Sequence, residues 1–407
     1  MRSPTFSNSC SCPDCGTLSN SVVCYKKRTL QHYALNKMES KIYEKVQLRC
    51  KNADCSRKSF TSYPSQAGLE ELEARSRYTK SSKFFVSNKM LKHQVSYSSL
   101  SIQLKEDFDS KTSISTLHTW TQKAKLIDNT GDLSNIEVLH TDEKHPSKKK
   151  RLSDKKFVIA SAGKETKSSL SVALHANLAD SNGSEALQAH YQGLIDKGLV
   201  TENVELVVTD MLPAYSAVIA TLFPNALHQF CIFHLIQSVN KSLKEALKAH
   251  RTAHYPKGER KEAHQTSLLI LKGEEKLSET ERNKVEAFYL KHPEILPNYA
   301  LKEDIRVMYA TAQTPEQAYA YKDILDDTYA TKIAKPMLKN WQFIKENFEK
   351  TIAYLRKDRP HDKTNNDAER MMRAIKRTQQ THYFLRNEDC YIKKIRCVLG
   401  IQKPIAS

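Results

Sequence analysis

The sequence predicts an α/β domain over its larger, C-terminal part, preceded by a small cysteine-bearing module and a short helical segment. Three observations lead there. From about residue 135, apolar runs of strand length alternate with stretches of helical period, the pattern of an α/β fold. Six of the nine cysteines fall within the first 55 residues. Residues from about 66 to 130 are rich in Ser, Lys and helix-forming segments. The composition shifts divide the chain at 1–65, 66–130 and 131–407.

In the last region, strands are expected over 136–141, 156–162 and 170–176. A helix follows over 184–197, a strand over 204–209, a helix over 213–222 and a short strand over 226–232. A mostly helical stretch continues from about 234, broken by Pro256, Pro293 and Pro297, and forms a helical insertion of about 240–356. The final helix is expected to start near Asn366.

A chain of 407 residues suffices for two or three domains. Lys and Arg number 64 against 46 Asp and Glu, a formal charge of +18. That excess fits a polyanionic partner, because each phosphate neutralised releases counterions. Charge alone also fits ribosomal, membrane-surface and heparin-binding proteins. No apolar run reaches the roughly 18 residues of a membrane span, so no membrane partner is expected. The N-terminal stretch lacks the apolar region of a secretory signal, which points to a cytoplasmic protein working at the nucleoid. Nine cysteines is an odd number, unlike the paired framework of a small secreted domain, and reads as metal binding in a reducing compartment.

Cys12-Pro-Asp-Cys15-Gly16 forms one knuckle and Cys50-Lys-Asn-Ala-Asp-Cys55 a second, together a zinc-ribbon-like module. Two thiolate pairs, each aimed by a tight turn, suit tetrahedral zinc. Gly16 supplies the positive φ such a turn needs. Cys10 and Cys24 are spare thiols able to substitute. The bland alternative is free thiols on an arm.

Residues 96–126 read as a helix-turn-helix, with Leu100, Ile102 and Leu104 marking the first helix. Ser113 caps a second helix carrying Ile114, Leu117 and Trp120. Its Thr116 and His118, with Ser115, Thr119 and Gln122, are able to reach phosphates or base edges. The alternative is an ordinary helical hairpin.

The chemistry lies in three acids. Asp142, in IEVLHTDEK, follows a strand on which Ile136, Val138 and His140 share its face. Asp210 ends the apolar strand of VELVVTDML in the same manner. Open α/β sheets place their sites at such C-terminal strand ends. If the strands are parallel neighbours, the two carboxylates converge on shared Mg2+ or Mn2+, ions suited to phosphodiester displacement. The third acid, Glu369 in TNNDAERMMRAIKRTQ, opens a helix that continues with Arg370, Arg373, Lys376 and Arg377 as phosphate contacts. Structural alternatives for Glu369 are a capping box with Asn366 and an i,i+4 pair with Arg373. Lys148, Lys149, Lys150 and Arg151, between the first two strands, are either a solvated loop or a clamp on the DNA backbone. Glu143 and His145 adjoin the site without an assigned role.

In this order these features resemble the DDE transposases with a ribonuclease-H-like catalytic domain, of the Mutator-like group and related bacterial insertion sequences. The likeness covers about 135–400: Asp142 after the first strand, Asp210 in VVTDMLPAYSAVIATLFPNA, Cys231-Ile-Phe-His234 about twenty residues on, a helical insertion, and Glu369 within NNDAER. RCKNADCSRKSFTSYP resembles the zinc-binding front end of insertion-sequence transposases, and SISTLHTW their helix-turn-helix. The resemblance implies a magnesium-dependent enzyme that nicks element ends and joins the freed 3′ hydroxyls to target DNA. It also implies a homo-oligomer on double-stranded DNA, since two ends must be held together. Cys231 and His234 would then lie beside the active site, ordering a strand-to-helix junction or binding a metal; a core Cys and a helix-start His are the equal alternative. The competing functions are a catalytically silent, transposase-derived DNA-binding regulator and a nuclease of another lineage. A structural RNA binder explains the charge but not the strand-end acids.

Overall fold

The computed structural model describes residues 10–34, 37–63, 69–73, 76–93, 95–145, 156–166, 168, 170–356, 360–381 and 387–405. They fall into two units, Met1–Asn129 with Ile375–Ser407, and Thr130–Ala374.

The first unit opens with the short strands β1 (Cys10–Ser11) and β2 (Leu18–Ser19), paired antiparallel. An antiparallel sheet follows, β3 (Val22–Ala34), β4 (Lys37–Arg49) and β5 (Ser59–Ser62). The sequence reading places no strand here. The hairpin presents Lys26, Lys27 and Arg28 opposite Lys45, Glu44 and Tyr43, and among the side chains described it buries only Leu30, Tyr33, Val46 and Leu48, too sparse for a period-2 signal.

Helices α1 (Lys80–Lys92), α2 (Tyr97–Phe108) and α3 (Ile114–Lys123) come next, capped by Thr79, Ser96 and Ser113. Val86, Met90, Leu100, Leu104, Leu117 and Trp120 form their core. Ile102 and Ile114, read as apolar markers of the two later helices, are exposed instead. Strand β6 (Leu126–Asp128) pairs antiparallel with β12 (Gln402–Pro404) at the far end of the chain. The helix starting at Asn366 is therefore not the last one. Helix α14 (Glu388–Val398) follows, and its Lys394 is buried, donating to the Met90 carbonyl at 2.5 Å. A lysine among its buried positions hides the apolar stripe from a sequence reading.

The second unit is built on a five-stranded sheet: β7 (Val138–Lys144), β8 (Phe157–Lys164), β9 (Val172–Ala179), β10 (Leu206–Thr209) and β11 (Leu227–Phe230). Their spatial order is β11-β10-β7-β8-β9. β7, β10 and β11 run parallel, while β8 is antiparallel to both neighbours. Helices α4 (Ser184–Ile195) and α5 (Pro213–Leu222) cover one face, burying Leu139, Ile159, Leu174 and Val207 against Leu187, Tyr191, Tyr215 and Ile219. The other face carries Val138, Leu206 and Val208 with Cys231 and Ala353.

The helical part begins with α6 (Ile232–His254), which stops where Tyr255, before Pro256, turns extended. It continues with α7 (Arg260–Ile270), α8 (Glu279–Lys291), α9 (Leu296–Thr311), α10 (Pro315–Tyr329), α11 (Lys335–Glu346) and α12 (Phe348–Ile352). Prolines occupy the first turns of α9, α10 and α11, where no helical N–H is lost. Trp341 is fully buried here, its Nε1 donating to Asp326 at 2.8 Å. Helix α13 (Asn366–Thr381) belongs to this unit up to Ala374. Among the described residues no helix is long and apolar enough to cross a membrane.

Candidate active site

The register between β7 and β10 positions the first two acids. Leu206 pairs with Val138, Val207 with Leu139 and Val208 with His140. Two residues further along each parallel strand, Asp210 falls beside Asp142. Strand alternation puts both on the face of Val138, Leu206 and Val208, away from α4 and α5. Asp142 Oδ1 accepts from the Glu143 amide at 2.8 Å, and Asp210 Oδ1 from the Leu212 amide at 2.9 Å, where the chain turns into α5. Burial, then the charges of Glu143, Asp210 and Glu369, push Asp142 up to about 8.

Asn365 sets the start of α13. Its backbone N–H donates to Cys231 Sγ at 3.2 Å and its side-chain amide to the Thr141 carbonyl at 2.8 Å. The Ile232 amide donates to the Lys363 carbonyl at 3.0 Å. Four residues after Asn365, Glu369 meets Cys231 and His234, with ligand atoms of all three within 4.8 Å of one another. Asp142 and Asp210 are not in that group. Glu369 is still near enough for its charge to raise the Asp142 carboxyl. Glu369 Oε1 and His234 Nδ1 are buried without a hydrogen-bond partner. Among the described residues no ion pair joins Glu369 to Arg373, and Asn366 lies inside the helix rather than at its cap.

Sequence reasoning passed over Glu143. It lies on the opposite face, buried, accepting from the Tyr215 hydroxyl at 2.6 Å and the Asn182 amide at 3.1 Å. Burial, then the charge of Asp210, pushes its carboxyl up. A carboxylate one residue past Asp142, on the face turned to two apolar helices, was the available signal. His140 was passed over too; its Nε2 lies 3.6 Å from Asp362 and 3.9 Å from Asp367.

Arg370, Arg373, Lys376 and Arg377 are exposed on α13, Arg370 paired with Asp367. Thr116 and His118 are half-buried on α3: the Thr116 hydroxyl bonds Ser113 at 2.9 Å, and His118 packs edge-on against Tyr97. Ser115, Thr119 and Lys123 are the more exposed positions of that helix. Lys148, Lys149, Lys150 and Arg151 lie outside the described residues.

The cysteine knuckles meet. Cys12, Cys15, Cys50 and Cys55 hold their sulfurs within 4.8 Å of one another, with Cys12 and Cys55 3.9 Å apart and Cys15 and Cys50 3.6 Å apart. Gly16 takes φ +70, and its amide closes the first knuckle on the Cys12 carbonyl at 2.9 Å. Arg57 bridges the knuckles to Asp14 at 2.8 Å. Thr17, its hydroxyl 3.4 Å from Sγ, holds the Cys15 thiol down to about 6. Four converging thiols, one easily ionised, could hold zinc. Cys10 and Cys24 point elsewhere, to Ser62 and Gln47.

Residues 140–395 match the ISL3-type DDE family described as transposase. Among solved structures, the chain is similar to the Drosophila P element transposase in its strand transfer complex. That likeness has a TM-score of 0.43 and 12% sequence identity, over 80% of this chain and 92% of that one. The comparison with curated proteins gives no match.

Proposed function

The chain belongs to the ISL3-type DDE transposase family, and we propose that it cleaves DNA at its element's ends and joins the freed 3′ hydroxyls to target DNA, using magnesium or manganese. The observation that carries this is the parallel pairing of β7 with β10, whose register sets Asp142, inside β7, beside Asp210, just past the end of β10, on one face. The strand order and directions of β7 to β11 favour a ribonuclease-H-like core. Together with the carboxylates they support the enzyme over a silent regulator.

The residues fit a divalent cation. Asp142, Asp210 and Glu369 offer the hard oxygens magnesium takes. The like charges around Asp142 and the orphan Oε1 of Glu369 are what a cation would satisfy. Bound there, a metal pair supplies activation of the attacking oxygen and stabilisation of the leaving one. The chain's own part is positioning. Asn365 fixes α13 against β7 and Cys231, which sets Glu369 beside Cys231 and His234; Tyr215 and Asn182 anchor Glu143 next to Asp142. Arg370, Arg373, Lys376 and Arg377, with the Lys148–Arg151 run, would neutralise backbone phosphates.

In this reading residues 1–65 are a zinc-ribbon-like module at Cys12, Cys15, Cys50 and Cys55, and residues 66–130 a helix-turn-helix using Thr116 and His118. The catalytic domain, expected over residues 131–407 with its insertion at about 240–356, is in this reading the unit Thr130–Ala374, since Ile375–Ser407 falls in the first unit. The protein works as a homo-oligomer on double-stranded DNA, in the cytoplasm at the nucleoid.

DNA carrying the element's own ends, incubated with the protein, is expected to yield free 3′ hydroxyls and strand-transfer products only when Mg2+ or Mn2+ is present. Hydrolysis without joining would identify a nuclease. Binding without any cleavage would identify the regulator.

A further inference from the structure

Helix α6 buries Leu235, Val239, Leu243 and Leu247, and this stripe runs on into His250. An imidazole therefore stands where the next apolar residue would fall. His254 follows one turn later on the same face, their ring centroids 4.3 Å apart. The turn after α8 delivers Glu294, whose Oε1 lies 2.6 Å from His250 Nε2 and 3.5 Å from His292 Nδ1. Ligand atoms of His250, His254 and Glu294 all lie within 4.8 Å of one another.

We propose that His250, His254 and Glu294 bind a first-row transition-metal ion, zinc above all, that ties the end of α6 to the turn between α8 and α9. Two imidazoles at i and i+4 plus one carboxylate make a nitrogen-rich donor set that suits zinc and not magnesium. His254 and Glu294 are exposed, which gives an ion its way in and leaves positions for water. His292, with the Tyr255 hydroxyl 2.5 Å from its Nε2, stands behind Glu294 as an orienting neighbour.

A second observation points the same way. His250 is buried, and its Nδ1 has no hydrogen-bond partner. A polar network kept for stability alone leaves few such atoms. The site lies in the helical insertion and shares no residue with the cysteine cluster or the carboxylate triad.

The test is zinc and cobalt binding to the full chain, stripped with chelator and reloaded, for wild type and the His254→Ala/Glu294→Gln variant. Both substituted side chains are exposed, so folding is retained, as circular dichroism checks. The variant is expected to hold one zinc fewer, or to bind that zinc at least about tenfold more weakly. The sulfur-to-cobalt absorption of the cysteine cluster should be unchanged. Equal zinc content and affinity in the two chains overturns the proposal. So does a Cys50→Ser/Cys55→Ser chain that takes up no zinc at all.

Discussion

A Cys50→Ser/Cys55→Ser chain is expected to lose the order of its N-terminal module, and trypsin should then cut it rapidly between residues 10 and 62. The hydrophobic cluster of this module contains Val46, Leu48 and Phe60 besides three of the four thiols, Cys12, Cys50 and Cys55. Three apolar side chains bury too little surface to hold the two knuckles and the strand ends beside them. Structural zinc supplies roughly 10–16 kcal/mol in zinc-finger peptides near neutral pH, so removing two of four ligands takes away most of what orders the module. The unit at Thr130–Ala374 has its own cores and should melt as before. Limited proteolysis with mass spectrometry reads both effects. A serine variant as resistant as wild type within residues 10–62 would show that the sulfurs hold no structural metal.

Asp142→Asn is expected to stabilise the metal-free protein at pH 8 and to leave it unchanged near pH 4. Folding lifts the Asp142 carboxyl from its ordinary 3.8 to about 8. Between those values the folded chain holds a proton that the unfolded chain has released. Stability therefore falls as pH rises through that window and levels off above about 8. The asparagine does not titrate, so the variant escapes this loss, on the order of a few kcal/mol. Magnesium should act in the opposite sense, raising the melting temperature of wild type increasingly toward pH 8 and that of the variant hardly at all. Melting curves in EDTA and in magnesium at both pH values decide it. Identical curves for the two chains in EDTA would mean that Asp142 is not held among like charges.

The parts of this fold legible in the sequence are those whose burial leaves a local period. β10 is wholly buried and apolar up to Thr209, and α5 lies at Pro213–Leu222 as its pattern predicts. β7 is displaced by about two residues, to Val138–Lys144, because its polar end, Thr141 to Lys144, is held by neighbouring strands rather than by apolar alternation. The β3–β4 hairpin was hidden by charge on both strands. The pairing of β6 with β12 joins segments so distant in sequence that no local pattern encodes it.

The site divides the same way. Asp142 and Asp210 were picked out as acids closing apolar runs; β10 does stop just before Asp210, whereas β7 runs on past Asp142 to Lys144. Gly16 was legible because a knuckle turn needs φ > 0. Asn365 was not, since its role is to join Thr141 and Cys231, which only the tertiary fold brings together. The meeting of Glu369 with Cys231 and His234 rests on that same junction.

Asp142, Asp210 and Glu369 are together expected to carry the proposed metal-dependent DNA breakage and joining. The most direct test is strand transfer of pre-cleaved element ends by wild type and by Asp142→Ala, Asp210→Ala and Glu369→Ala, each confirmed folded and DNA-bound. Products are expected from wild type in magnesium or manganese, with a loss of at least about a thousandfold in every variant, a small part of a typical enzymatic rate enhancement. Near-wild-type transfer by any one folded, DNA-bound variant would contradict this expectation for that acid.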